Sequence, residues 1–364
     1  MSKVLLVGKG YPDRGGIPTF LNTLQEGELG ELHDITFLNV AHFGTPEGGE
    51  VTAGNVGRTL LDARNVFRMA KGHDIVHIHS ALAPAVTVGR AGLLALAGRL
   101  RGARVVMHAH GGNIETWLTS RRAKLVMRLA MLPVSHVVAV WSAGEHTLRG
   151  VLGSRRVSLI DNGVDTERFV PAVNEQDERA RPPRILYVGL LTPRKGVLDL
   201  IEASELLRDE GVEHELLLLG GVPDEGPEAA EPVLAAAEGV AQLLGTRPPQ
   251  EMPAAYADAD VFCLPSWWEA MPLSILEAMA AGLPVVASDV GDVSRLVTPE
   301  CGTVVPAKDP RRLADALRGP LVDPELRRQQ GKASRARAVE AFSSSATARA
   351  IDRVFHDVRH GDHA

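Results

Sequence analysis

The sequence has few cysteines and no recognisable zinc spacing. Only two cysteines occur in 364 residues, Cys263 and Cys301, and both lie in apolar stretches. We therefore expect buried free thiols in a reducing, cytoplasmic compartment rather than disulfides or a metal centre.

Long apolar runs and a secretion signal are also missing. The most apolar window, 81–100, is interrupted by Arg90 and Arg99, which argues against a membrane-spanning helix. Residues 1–10 contain one short apolar run and no cleavage signature, so this segment is predicted to be a strand and not a signal peptide.

Two common phosphate-binding motifs are absent as well. The first glycine-rich loop, KGYPDRGGIPTF, has Gly15 and Gly16 before a predicted helix. It lacks the three spaced glycines of the dinucleotide fingerprint, and no Walker A lysine is present. Glycine still lets backbone approach a ligand closely, so the loop stays a candidate contact.

What the sequence does contain is a regular alternation of short β-rich runs and helical stretches. With 45% apolar and 23% charged residues, the chain has the composition of a globular protein, and its length suggests two domains. Alternation of this kind predicts an α/β fold with parallel, doubly wound sheets, whose ligands lie at the carboxyl ends of the strands. The predicted division is a first domain over 1–170, a polar linker over 171–183, a second domain over 184–342 and a C-terminal helix over 343–364.

The segment Cys263–Val293 carries the most informative pattern. It is predicted to fold as strand, loop, helix and strand, with Pro272 at the start of the helix and Gly282 in a left-handed conformation at its end. Glu269 lies in the loop and Glu277 in the helix, with seven residues between them. Spacing alone favours an ordinary amphipathic helix with two solvated glutamates.

From Pro265 onward the sequence reads PSWWEAMPLSILEAMAAGLPVVASDVGDVSRLV. It resembles the E-x7-E element of retaining, nucleotide-sugar-dependent glycosyltransferases of family 4. The resemblance extends over nearly the whole chain, including the NGVD element in 159–169. It implies the GT-B fold, in which two Rossmann-like domains face a central cleft. It also implies a nucleotide diphosphate sugar, of the UDP or GDP type, as the donor.

The resemblance assigns roles to residues of the second domain. Glu269 would orient the sugar and Glu277 would hold the ribose, while Lys195 would meet the diphosphate. The family has an arginine where this sequence has Leu190, and Arg194 is the candidate replacement. The remaining candidate donor contacts are Thr246, Arg247, Met271, Pro272 and Leu273.

In the first domain, the resemblance implies that Gly15 and Gly16 contact the donor phosphates or the acceptor. It also makes His110, in HAHGG, a histidine near the reacting sugar, whereas the alternative is a loop histidine bound to backbone. His77, His79, His108 and His110 are all predicted to lie at the ends of strands. We expect no metal there, because an H-x-H pair on one strand supplies only two ligands.

No metal or other cofactor is expected for the reaction either. Asp258 and Asp260 form a D-x-D sequence, which binds a divalent cation in the other glycosyltransferase fold, but here it precedes a buried strand and is interpreted as structural. The resemblance implies metal-independent, same-face sugar transfer to a hydroxyl acceptor, which can be a glycan, a lipid-linked sugar or a small metabolite. The alternatives are an inactive nucleotide-sugar-binding module and a GT-B epimerase.

Charge is distributed unevenly and bears on the acceptor. Residues 1–170 carry a net charge of +5 and residues 171–364 one of −11. The predicted helix Ser120–Leu132 is basic and amphipathic, so it can lie peripherally on the anionic inner face of a membrane. The alternative is that its apolar side packs on the sheet and its basic side faces water. No nucleic-acid partner is expected.

Overall fold

The computed structural model describes residues 1–11, 13, 15–41, 52–111, 113–171, 181–223 and 227–361. Most of the predicted linker lies outside these residues. The chain forms two compact units, one of residues 1–162 with 344–364 and the other of residues 163–343.

The first unit is built on a parallel sheet. Its described strands are β1 (Lys3–Gly8), β2 (Asp34–Asn39), β3 (Ile75–Ser80), β4 (Arg104–Ala109), β5 (His136–Ala139) and β6 (Val157–Leu159). Its described helices are α1 (Gly16–Glu26), α2 (Glu28–Leu32), α3 (Ala53–Met69), α4 (Ala85–Arg99), α5 (Ile114–Trp117), α6 (Arg121–Ala130), α7 (Ser142–Leu152) and α15 (Ser344–His360). The strand order is β2-β1-β3-β4-β5-β6, and every pairing is parallel.

The second unit repeats this design. Its described strands are β7 (Arg184–Val188), β8 (Glu215–Leu219), β9 (Gln242–Gly245), β10 (Val261–Leu264), β11 (Val285–Ser288) and β12 (Gly302–Val305). Its described α-helices are α8 (Val197–Asp209), α9 (Glu231–Ala237), α10 (Met252–Ala257), α11 (Leu273–Ala280), α12 (Val293–Leu296), α13 (Pro310–Val322) and α14 (Pro324–Ala341). The order is β12-β11-β10-β7-β8-β9, again with parallel pairs throughout.

Each sheet therefore reverses its winding direction once. In the second unit the reversal lies between β7 and β10, and in the first it lies between β1 and β3. Loops that leave such neighbouring strands diverge to opposite sides, which opens a crevice at their carboxyl ends. The α/β, doubly wound character predicted from the sequence is confirmed.

The unit boundary differs from the predicted domain boundary at residue 170. Residues 163–170 belong to the second unit, because Arg335 on α14 donates hydrogen bonds to the carbonyls of Thr166 and Phe169 at 2.7 Å each. The C-terminal helix α15 belongs to the first unit, where Asp352 pairs with His33 at 3.0 Å.

Candidate functional site

In the second unit, the loop 265–272 leads from β10 to α11, at the point where the sheet reverses direction. Two backbone hydrogen bonds hold it. The N–H of Trp267 donates to the carbonyl of Arg194 at 3.0 Å, and the N–H of Asp292 donates to the carbonyl of Ala270 at 3.1 Å. The loop is thus fixed between the segment after β7 and the segment after β11.

Two glycines make this close approach possible. Gly196 has φ 69°, and a Cβ there would lie 1.9 Å from the carbonyl oxygen of Pro265. Gly291 has φ 55°, and a Cβ there would lie 2.1 Å from the carbonyl oxygen of Glu269. Side chains are excluded at both positions by conformation and by space, so the loop that carries Glu269 is held between two glycine contacts.

This arrangement brings Lys195 and Glu269 together. Nζ of Lys195 lies 2.6 Å from Oε1 of Glu269, with the two side chains 20% and 11% exposed. Arg194, one residue before, is exposed. The structure thus joins the residue predicted to contact the diphosphate and the residue predicted to orient the sugar.

Leu190 lies at the position where the family has arginine, and its side chain is exposed. Its backbone carbonyl accepts a hydrogen bond from the buried hydroxyl of Tyr187 at 2.7 Å. Burial raises the pKa of Tyr187 well above its ordinary value. The side chain at position 190 is therefore free to vary, while its backbone is held.

Glu277 is buried, and the alternative of a solvated glutamate is wrong at this position. Oε2 accepts a hydrogen bond from the hydroxyl of Tyr256 at 2.6 Å. Burial raises the pKa of Glu277 to about 7, against the opposing effects of the Tyr256 hydrogen bond and of the positive charge on Arg168. Tyr256 lies on another helix, α10, and nothing in the local sequence predicts its contact with Glu277.

Helix α11 begins at Leu273, with Pro272 as the residue before it, and Met271 is buried in the loop. The N–H groups of the first turn have no acceptor within the helix itself, so this helix start can bind an anion. Gly282 has φ 75°, the left-handed conformation predicted for it.

Thr246 and Arg247 follow the edge strand β9, two strands away from β7. Both are exposed, and Arg247 forms an ion pair with Glu251 at 3.3 Å. They lie after the carboxyl end of their strand, as expected of ligand contacts in such a sheet.

Both aspartates of the D-x-D sequence form ion pairs within the second unit. Asp258 pairs with Arg184 and Asp260 with Arg181, each at 2.6 Å between nitrogen and oxygen. Asp260 also accepts a hydrogen bond from the N–H of Arg184 at 2.8 Å. Both carboxylates therefore fasten the start of β7 to the start of β10.

In the first unit, Gly15 precedes α1 with φ 119°, a conformation that favours glycine, and Gly16 is the first helical residue. Phe20 of the same helix packs against His110, with ring centroids 5.1 Å apart. The structure thus brings the start of α1 and the predicted cleft histidine into one region of this unit.

The four histidines also form one group. His79 and His108 are direct partners in the register of β3 and β4. His77 lies inside β3 rather than at its end, which corrects the prediction. One ring nitrogen from each of His77, His79 and His108 lies within 4.8 Å of the others. Pairs on neighbouring strands thus combine to offer three ligand atoms, so the two-ligand argument against a metal does not hold, and the absence of a metal stays a prediction.

Cys263 and Cys301 are buried and free, and burial raises the pKa of Cys263 above its ordinary value. Among the described residues, no helix is long and apolar enough to cross a membrane.

Comparison with known proteins decides the family. Residues 26–168 match the family model described as Glycosyltransferase Family 4, and residues 182–323 match the one described as Glycosyl transferases group 1. The alpha-maltose-1-phosphate synthase of Mycolicibacterium smegmatis is 30% identical, over 94% of this chain and 95% of that protein. The chain belongs to the group 1, family 4 glycosyltransferases.

Two further matches support this assignment. A GDP-mannose-dependent alpha-(1-6)-phosphatidylinositol monomannoside mannosyltransferase of M. smegmatis is also 30% identical, with 91% of this chain and 92% of that one covered. Among solved structures, sucrose-phosphate synthase from Thermosynechococcus elongatus matches with a TM-score of 0.78 at 20% identity, over 99% and 100% of the two chains. The GT-B fold class predicted for this glycosyltransferase is confirmed.

Proposed function

We propose that this glycosyltransferase moves a sugar, with retention of anomeric configuration, from a UDP- or GDP-type nucleotide sugar to a hydroxyl acceptor, without a metal ion. The observation that carries the proposal is the Lys195–Glu269 pair, 2.6 Å apart at the reversal point of the second sheet. The ammonium group of Lys195 can bind a phosphate, and the carboxylate of Glu269 beside it can accept from sugar hydroxyls. A ligand that contains both a phosphate and a sugar therefore fits there.

The diphosphate is the leaving group, and it gains negative charge as the bond from the anomeric carbon to the phosphate oxygen breaks. Lys195 supplies a mobile positive charge to this group, and Arg194 supplies a second one. The N–H groups at the start of α11 add donors that are already oriented. Stabilising this developing charge is the main catalytic task, and these groups would do it without a metal ion.

Glu269 would orient the sugar hydroxyls and support positive charge at the anomeric carbon. The acceptor oxygen then attacks from the face that the diphosphate leaves, and its proton passes to the departing phosphate oxygen. This same-face route needs no enzyme-bound sugar. His110 of the first unit would contact the sugar near the reacting carbon.

Glu277 would hold the ribose of the nucleotide. One oxygen, Oε2, already accepts from Tyr256, which fixes the carboxylate and leaves the other oxygen for a ribose hydroxyl. Thr246 and Arg247 would contact the base. Metal independence has support from Asp258 and Asp260, since Arg184 and Arg181 already bind both carboxylates.

The acceptor is proposed to be lipid-linked, because helix α6 presents an unusual outer face. Only Ala123 and Met127 of this helix are buried, whereas Leu125 and Leu129 are 56% and 57% exposed. The interpretation that the apolar side of this helix is covered therefore holds only for those two residues, and α6 packs mainly against helix α4. Exposed leucines beside Arg121, Arg122, Lys124 and Arg128 match an anionic bilayer surface. The name of the mannosyltransferase relative contains a glycolipid, phosphatidylinositol monomannoside.

Co-sedimentation with anionic liposomes tests this contact. Each basic residue near such a surface contributes on the order of 1 kcal/mol, so binding should be measurable at low salt and weaker at high salt. Leu129→Gln should reduce binding, while Val322→Gln, a 59% exposed position in the second unit, should not. Protein that stays in the supernatant at low salt would favour a soluble glycan or metabolite as the acceptor.

The activity itself is tested by screening nucleotide sugars for thermal stabilisation and then following turnover. The correct donor at a hundredfold excess over its Kd stabilises by about 2.7 kcal/mol, which stands out from the others. NMR of the product should show the anomeric configuration of the donor, and an inverted product would refute the proposal. A binding module would show no slow donor hydrolysis, and an epimerase would change the sugar without an acceptor.

A further inference from the structure

The four histidines on β3 and β4 are joined end to end by hydrogen bonds. Nε2 of His110 lies 2.8 Å from Nδ1 of His79, and Nε2 of His79 lies 3.4 Å from Nδ1 of His77. Nε2 of His77 lies 3.2 Å from Nδ1 of His108. Each contact thus joins Nε2 of one ring to Nδ1 of the next.

The two ends of this chain differ. At one end, Nε2 of His108 is buried and has no hydrogen-bond partner among the described residues. At the other end, His110 is partly exposed, and the described residues offer its Nδ1 no partner. Only the His110 end can therefore meet a ligand.

All four rings are neutral near neutral pH. Burial lowers the pKa of His77 and of His110 to about 3, and it lowers the pKa values of His79 and His108 well below the ordinary value. A neutral imidazole has one N–H and one lone pair, on different nitrogens. Each ring in the middle of the chain must therefore donate in one direction and accept from the other.

We propose that His77, His79 and His108 are positioning residues, which fix the tautomer of His110 through this chain of three hydrogen bonds. Only two arrangements keep all three bonds: every ring carries its proton on Nδ1, or every ring carries it on Nε2. In the first arrangement Nδ1 of His110 donates to a ligand, and in the second it accepts. The buried end at His108 therefore takes part in deciding what His110 offers to a sugar hydroxyl.

A metal ion is the competing occupant of the same histidines. A divalent ion bound by three neutral imidazoles would keep its two positive charges buried with no anionic ligand, which is unfavourable. His108 and His79 are stacked with 19° between their planes, so their in-plane lone pairs lie in two separate, nearly parallel planes and do not converge well on one point. The geometry favours the hydrogen-bonded chain.

Nitrogen-15 NMR of histidine-labelled protein tests the proposal directly, because two-bond couplings distinguish an Nδ1–H ring from an Nε2–H ring. We expect the four rings to share one tautomer. Mixed tautomers among them, or an averaged signal from His110, would overturn the proposal. One equivalent of bound zinc or copper in the purified protein would also overturn it, since a metal takes the lone pairs that the chain uses.

A break in the chain provides the second test. His77→Leu removes two of the three bonds and should convert His110 to a mixture of tautomers. The control His136→Leu removes another buried histidine, on β5, whose Nε2 bonds Ser158 at 2.9 Å instead. It should leave the His110 signal unchanged. An unchanged, single His110 tautomer in His77→Leu refutes the proposal, and if this variant fails to fold, the wild-type spectrum decides alone.

The effect on turnover rests on the proposed function, whereas the tautomer does not. A hydrogen bond that biases a tautomer contributes about 0.5–1.5 kcal/mol, so kcat of His77→Leu should fall about two- to tenfold while the donor KM changes little. If the four histidines share one tautomer but no nucleotide sugar supports transfer, the proposed function is refuted and the proposal about the hydrogen-bonded histidines still holds.

Discussion

Replacing Gly196 by alanine should damage catalysis far more than replacing Gly211, although the two glycines flank the same helix, α8. Both have left-handed backbones, with φ 69° and 79°. A Cβ at Gly211 would meet nothing within 4 Å, whereas a Cβ at Gly196 would lie 1.9 Å from the carbonyl oxygen of Pro265. Comparing the two alanine variants therefore separates the effect of backbone strain from that of displacing the loop that carries Glu269.

The magnitudes follow from these contacts. A left-handed alanine costs about 1–2 kcal/mol, and the lower entropy of the unfolded chain offsets about 0.4–1 kcal/mol of it, so Gly211→Ala should lose about 0–1.6 kcal/mol. Gly196→Ala adds the about 1–3 kcal/mol typical of overpacking. The carbonyl of Pro265 must move by about 1 Å to reach a tolerable contact, and a displacement of that size can cost about a hundredfold in rate.

Urea unfolding measures the first quantity, and kcat/KM for transfer, at a temperature where both variants are folded, measures the second. Gly211→Ala should keep nearly full activity, and Gly196→Ala should lose about a hundredfold. Equal losses of activity in the two variants would refute the claim that the Gly196–Pro265 contact positions the site.

The remaining predictions concern the charged groups of the second unit. Glu269→Gln should reduce turnover strongly while nucleoside diphosphate binding stays near normal, and Glu277→Ala should instead weaken nucleotide binding. If the two variants change turnover and nucleotide affinity to similar extents, this division of roles is contradicted. Lys195→Ala should lose about 2–3 kcal/mol of transition-state stabilisation, from kcat/KM, and Arg194→Ala should lose less. A larger loss at Arg194 would mean that it has replaced the family arginine. EDTA should leave activity intact, and loss of activity with rescue by magnesium or manganese would contradict this. Because the pKa of Glu277 rises from 4.5 to about 7 on folding, the folded state holds this proton more tightly, so the contribution of Glu277 to stability falls as pH rises from about 4.5 to about 7. Glu277→Gln should remove that decline, and unfolding free energies with the same pH slope in both proteins would argue against it.

The sequence predicts well those features that depend on neighbouring residues. The predicted alternation of short strands and helices recurs in both units, because it depends on patterns within a few neighbouring residues. Gly282 is left-handed as expected, because a helix followed by Gly and Pro has a local chemical signature. Short strands such as β6 and β12 are harder to predict, since three or four residues carry too little pattern to be distinguished from a loop.

The contacts that define the candidate site were less accessible. Tyr256 and Glu277 are 21 residues apart and meet only because α10 packs near α11. Lys195 and Glu269 are 74 residues apart, so the spacing of either residue alone could not predict their ion pair. A family resemblance identified the residues, but only the tertiary structure shows which of them bind each other.

The histidines show most directly why strand register matters. From the sequence, HIH on one strand and HAH on the next are two separate pairs, and each pair alone supports neither a metal site nor a connected network. Register decides the outcome, because His79 lies opposite His108 and all four side chains then share one face of the sheet. A shift of one residue between β3 and β4 would turn the HAH pair to the opposite face and break the link between His110 and His79. The properties of the partly exposed histidine are therefore set by a pairing that no local sequence pattern specifies.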